Sequence, residues 1–145
     1  MNLKIKIALI LGLIVFGIAG YGYFKSTPGP SGQLGNGPRI EINPQNYDFG
    51  ETQFGQILEY SFTVTNLGGA PLEIKRVATS CACTKAKIDK QTLNAGEEAQ
   101  LLVTYDTAAM GEGSHGKGKQ ERIIYVKTND PNNPQVDVTI QAYVK

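Results

Sequence analysis

Two cysteines stand two residues apart in Ser80-Cys81-Ala82-Cys83-Thr84, the only cysteines of the 145-residue chain. Thiols this close can form a disulfide in an oxidising compartment or offer a pair of ligands to a soft metal ion. On a regular strand their Cα atoms would lie about 6.6 Å apart on the same face, near the upper limit for a disulfide. If the segment bends into a turn, two thiolates can chelate one soft ion such as Cu(I). Lys85 and Lys87 lie close by in sequence and would lower the thiol pKa values, which favours either use. Met110 and His115, in the stretch Thr107 to Gln120, could add a thioether or an imidazole to complete a Cys-Cys-Met or Cys-Cys-His site. Against a metal stand two facts of pattern: two ligands seldom complete a site, and Gly111, Gly113, Gly116 and Gly118 give that loop little reason to hold one shape. Structural cysteines closing a strand are the simpler reading, with copper the one cofactor these residues suit. Thiol–disulfide exchange is a third use of the same pair, although no C-x-x-C within a βαβ pattern accompanies it.

Other patterns that suggest chemistry do not survive a look at their context. Gly111-Glu112-Gly113-Ser114-His115-Gly116 matches G-x-G-x-x-G, but a β-prone run follows it where a dinucleotide site needs a helix. His115 is the one histidine and has no local orienting partner for a catalytic triad. Glu97-Glu98 opens a strand and reads as surface charge. No enzyme is expected from these residues. From Arg39 onward there are 11 basic and 13 acidic residues, a net charge of −2. Such a domain lacks the clustered Lys and Arg that phosphate binding requires, so nucleic acid is not an expected partner.

The elements that position the cysteines begin with an unbroken apolar stretch, Ile7 to Phe24, preceded by Lys4 and Lys6. As a helix it would be about 27 Å long, close to the thickness of a bilayer core. The two lysines and the amino terminus outweigh Lys25, which places the N-terminus in the cytoplasm. Tyr21, Tyr23 and Phe24 suit the far interface. Gly17-Ile18-Ala19 also suits a signal peptidase, but the stretch exceeds the usual signal-peptide core of about 7–15 residues. Residues 1–25 are therefore expected to be a transmembrane signal-anchor. Both versions export the remainder to the periplasm or the cell exterior. Residues 26–38, STPGPSGQLGNGP, cannot bury a core and read as a flexible Gly/Pro linker.

From residue 39 to 145 the apolar period is two. Ile40 and Ile42 share a face, as do Leu58, Tyr60, Phe62 and Val64. Leu72 and Ile74 fall out of step with Val77, which implies a bulge near Lys75-Arg76. Ala99, Leu101, Val103 and Tyr105 alternate, then the run Arg122 to Thr128, then Val136 to Val144. Turn chemistry separates them at Asn66-Leu67-Gly68-Gly69-Ala70-Pro71, Asn94-Ala95-Gly96 and Asn129 to Pro134. About seven short strands without a helical stripe predict an all-β, immunoglobulin-like sandwich. With no Trp and no widely spaced Cys pair, an antibody-type inter-sheet disulfide is excluded.

Several short motifs occur in order: Tyr47-Asp48-Phe49-Gly50, Phe62-Thr63-Val64-Thr65-Asn66-Leu67-Gly68, Pro71-Leu72-Glu73-Ile74, Ser80-Cys81-Ala82-Cys83-Thr84, Ala95-Gly96-Glu97 and Val126-Lys127-Thr128-Asn129. Together they resemble the bacterial domain of unknown function 1573, over residues 40 to 144. The resemblance implies an immunoglobulin-like fold similar to the modules of centrosomal and ciliary proteins and of major sperm protein. It favours contact with an envelope protein partner over catalysis. The chain is thus expected to be a membrane-anchored, extracytoplasmic module for protein binding or scaffolding.

Overall fold

The computed structural model describes residues 35–113 and 116–145. The expected anchor, most of the expected linker and His115 lie outside the described residues. Among the described residues no helix is long and apolar enough to cross a membrane.

The described residues form nine strands. They are β1 (Ile40–Asn43), β2 (Asn46–Thr52), β3 (Ile57–Asn66), β4 (Leu72–Thr79) and β5 (Thr84–Ile88), then β6 (Thr92–Leu93), β7 (Glu98–Asp106), β8 (Gly118–Thr128) and β9 (Gln135–Val144). Two sheets result, one ordered β1-β3-β7-β5 and the other β2-β9-β8-β4-β6. All pairings are antiparallel except β2 with β9. The expected bulge is present as a register shift between Ile74 and Arg76. The alternating runs give the core: Ile42, Phe62, Val64, Leu101, Val103, Ile124, Val126, Val138 and Ile140 are all buried between the sheets. Two-residue periodicity is the cause, because successive side chains on a strand point to opposite faces.

Three strands, β2, β5 and β6, lie outside the alternating runs of the sequence, and for β5 and β6 the physical reason is plain. The segment Thr84 to Ile88 has only Ala86 and Ile88 as apolar residues, each preceded by a lysine, which hides its strand character. It is an edge strand, and charged lysines on an edge discourage pairing with stray chains. β6 is two residues long and leaves almost no pattern to read.

Every connection but β8–β9 carries the chain from one sheet to the other. Peptide groups at such crossings have no strand partner, so side chains must satisfy them. Asn66, fully buried at the end of β3, does this at β3–β4. Its Oδ1 accepts from Arg39 N at 3.2 Å and Gly68 N at 2.9 Å, while Nδ2 donates to Ala70 O and Leu93 O, both at 2.9 Å. Removing that amide would orphan several buried groups, at a cost of roughly 1–3 kcal/mol for each one left dry. Gly68 sits against the strap Gly35–Arg39, where a Cβ would overlap the carbonyl oxygen of Gly37. Only glycine permits this approach.

Asp130, 1% exposed in the β8–β9 turn, accepts from Ile40 N at 3.0 Å, Asn132 N at 2.8 Å and Asn133 Nδ2 at 3.2 Å. Burial pushes its carboxyl pKa up, but those N–H donors more than offset it and the net direction is downward. A folded pKa below the unfolded value of about 3.9 means the carboxylate stabilises the fold above that pH. The stabilisation is lost as pH falls through the folded pKa. Melting temperatures should therefore drop more steeply below about pH 4 in the native chain than in Asp130→Asn. Equal acid slopes in the two proteins would contradict this role.

Candidate functional site at the β4–β5 crossover

The sequence Ser80 to Cys83 forms the turn that takes the chain from β4 in one sheet to β5 in the other. Cys81 and Cys83 are joined by a disulfide with Cα atoms 5.3 Å apart. The separation is shorter than a regular strand would give, because the chain bends here: Thr84 N donates to Cys81 O at 3.3 Å. With their sulfurs bonded to each other, neither cysteine offers a thiolate to a metal ion in this state. Among the described residues, no group of three or more His, Cys, Asp and Glu side chains could hold one.

The crossover is held independently of the sulfurs. Thr79 Oγ1 lies 3.0 Å from Cys81 O and 2.9 Å from Thr84 O, so one hydroxyl serves both ends of the turn. Ser80 N donates to Ile123 O at 2.9 Å, and Ile123 N donates to Ser80 Oγ at 3.0 Å. On the other sheet, Asp106 N donates to Cys83 O at 2.9 Å. A disulfide closing a ring of three residues removes little freedom from the unfolded chain, about 1.5 kcal/mol against about 3 for a 15-residue loop.

Around the sulfurs the environment is uneven. Cys81 is half-buried, whereas Cys83 is 3% exposed and packs in the core. Arg122 of β8 donates from Nε to Cys83 Sγ at 3.0 Å. Its guanidinium also bonds Glu121 O at 2.7 Å and Gln120 Oε1 at 2.6 Å, and lies 5.2 Å from the centroid of the Tyr105 ring. The Thr84 hydroxyl lies 3.5 Å from Cys81 Sγ and 3.7 Å from Cys83 Sγ. Burial raises the Tyr105 phenol pKa, and the Arg122 charge partly opposes that rise.

The other residues singled out from the sequence fall as follows. Met110 is 44% exposed in the β7–β8 loop and makes no hydrogen bond to either cysteine. His115 is outside the described residues. Lys85 and Lys87 are exposed on β5. The flanks of the β7–β8 loop reach the cysteine end, through Asp106 and Arg122. Arg122 was legible in the alternation, because it shares a row with the buried Ile124, Val126 and Thr128. A cation on the core-facing row signals a buried partner, but the run Arg122 to Thr128 does not say which residue that partner is.

Two sheets of this topology with no helix between them define an immunoglobulin-like, PapD-like sandwich, and solved structures bear this out. A protein of unknown function from Porphyromonas gingivalis W83 is similar with a TM-score of 0.66 and 21% identity, over 80% of this chain and 51% of that one. The PapD-like domain 7 of human CEP192 gives 0.55 and 11% identity, over 83% and 92%. The E. coli chaperone DraB gives 0.50 and 13% identity, over 74% and 55%. The chain thus spans about half the length of the Porphyromonas protein. Residues 40–144 match the model for the protein of unknown function DUF1573, and the chain belongs to that family. No protein of curated function matches it.

Because hydrogen bonds already hold the turn, Cys81→Ser/Cys83→Ser should lower unfolding stability by no more than about 1.5 kcal/mol. Urea unfolding of the oxidised native chain and the double variant measures this. A loss of several kcal/mol would make the disulfide a structural staple.

Proposed function

We propose that this chain is a membrane-tethered, extracytoplasmic module that binds an extended segment of an envelope protein along the free edge of β5. The carrying observation is the edge itself. β5 pairs with β7 through Thr84↔Tyr105 to Ile88↔Leu101, with bonds from Asp106 N to Cys83 O and from Asp89 N to Gln100 O. In an antiparallel pair, alternate residues turn their peptide groups toward the partner. Cys83, Lys85, Lys87 and Asp89 face β7, and the peptide groups of Ala86 and Ile88 face outward.

An outward-facing pair of this kind is what an added strand bonds to. The bacterial chaperone DraB shares the fold, which lends the binding reading support without naming a ligand. Exposed Lys85 and Lys87 favour an acidic segment and discourage self-pairing. The apolar stretch 7–24 supports the tether, and a disulfide at Cys81–Cys83 suits an oxidising compartment. Binding is the role assigned to the β5 edge.

Ala86→Pro removes one outward N–H while leaving every bond to β7 in place. An acidic, extended peptide should bind the native chain and lose at least about tenfold in affinity to Ala86→Pro, with the melting temperature little changed. Backbone amide shifts on titration should centre on residues 84–88. Equal binding by the proline variant, or shifts centred on β1 or β2, would contradict the β5 edge.

A further inference from the structure

The disulfide at the crossover is asymmetric in a way its structural role does not require. One sulfur, Cys83 Sγ, is buried and receives an Arg122 N–H at 3.0 Å. The other, Cys81 Sγ, is on a half-buried residue and lies 3.5 Å from the Thr84 hydroxyl. A disulfide sulfur is a weak, neutral acceptor, so a guanidinium gains little from it. The same guanidinium gains far more when that sulfur becomes a thiolate. Arg122 is also fixed in place, by Gln120, by the Glu121 carbonyl and by the Tyr105 ring. A cation held in advance at the spot where negative charge would appear is the arrangement that stabilises a leaving group.

We propose that Cys81–Cys83 is a thiol–disulfide exchange site for cysteine thiols of exported proteins. Cys81 is the sulfur attacked, and Arg122 stabilises the Cys83 thiolate that leaves. In the first step a thiolate of a partner dithiol attacks Cys81 Sγ. A partner–Cys81 disulfide forms, the Cys81–Cys83 bond breaks, and its electron pair departs on Cys83 Sγ beside Arg122 Nε. In the second step the partner's other thiolate attacks its own sulfur in the mixed disulfide and releases Cys81 as a thiolate. The partner dithiol has lost two electrons to become a disulfide, and the Cys81/Cys83 pair has gained them. The two protons of the partner thiols pass through solvent to the released thiolates as these protonate.

The burial of the two residues sets this polarity, since Cys81 is the more exposed of the pair and Cys83 lies in the core. Among the described residues, the charged and titratable groups placed at Cys83 are Arg122 of β8, which bonds its sulfur, and Asp106 of β7, whose N–H bonds its carbonyl, with the Tyr105 ring beside Arg122. The exchange needs no strand capture at β5, so the failure of one reading leaves the other standing.

The test uses the full chain with glutathione as the probe. Cys83→Ser, which keeps only the Cys81 thiol, should form a mixed disulfide with oxidised glutathione at least about tenfold faster than Cys81→Ser, which keeps only Cys83. Reduction of the native disulfide by reduced glutathione should slow about tenfold in Arg122→Gln and less in Arg122→Lys, because a poorer leaving thiolate departs more slowly. Thermal melts report whether the Arg122 variants are folded, and the comparison of the two single-cysteine chains reads the polarity with Arg122 intact. Equal rates for the two single-cysteine chains, a native disulfide that glutathione does not reduce in the folded chain, or a folded Arg122→Gln that reacts as fast as the native chain would each overturn the proposal.

Discussion

The governing constraint in this domain is the satisfaction of peptide groups where the chain crosses between its two sheets. The interior is an ordinary alternating core that any sequence of the right pattern could supply. The crossings are different, because each one brings unpaired N–H and C=O groups to the rim of that core. Asn66 at β3–β4, Thr79 at β4–β5 and Thr107, which serves the β2–β3 connection from the end of β7, each bond two or more such groups. Among the described residues no buried side-chain nitrogen or oxygen lacks a partner. Polar residues on the core-facing row are thus a regular part of the design, and they mark where the chain changes sheets.

The cysteine pair belongs to this set of crossings and departs from it. Threonine and serine already satisfy the β4–β5 turn, and the three-residue disulfide ring adds little to stability. Arg122 is the unusual neighbour, a cation placed on a row of Ile124, Val126 and Thr128 and aimed at a sulfur. A guanidinium in that position would bond an anionic sulfur at Cys83 more strongly than it bonds the neutral disulfide.

The sandwich was legible because alternation over long runs has one consequence. Phe62 with Val64, Leu101 with Val103 and Val138 with Ile140 could face only one core. The bulge at Lys75-Arg76 was legible from a break in parity, and the turn at Asn94-Ala95-Gly96 from its residues; Gly96 takes a φ of +75° there. β5 and β6 were hidden, one by lysines on its solvent face and the other by its length. At the site, the pair Cys81/Cys83 was visible as a motif, but the turn that brings its sulfurs together was only one of two geometries the spacing allowed. Arg122 lies 39 residues away in sequence, and its approach to Cys83 depends on how β8 packs under the crossover. Local pattern carries parity and turns; it does not carry contacts made across the sandwich.

The central claim is that the crossover disulfide can change state without the fold depending on it. The most direct measurement is a comparison of backbone amide spectra of the chain with Cys81 and Cys83 oxidised and reduced. The account predicts full dispersion in both states, with shifts confined to residues 79–84 and to their contacts at 105–106 and 122–123. Loss of dispersion across both sheets on reduction would contradict it, and would make the disulfide a staple of the sandwich.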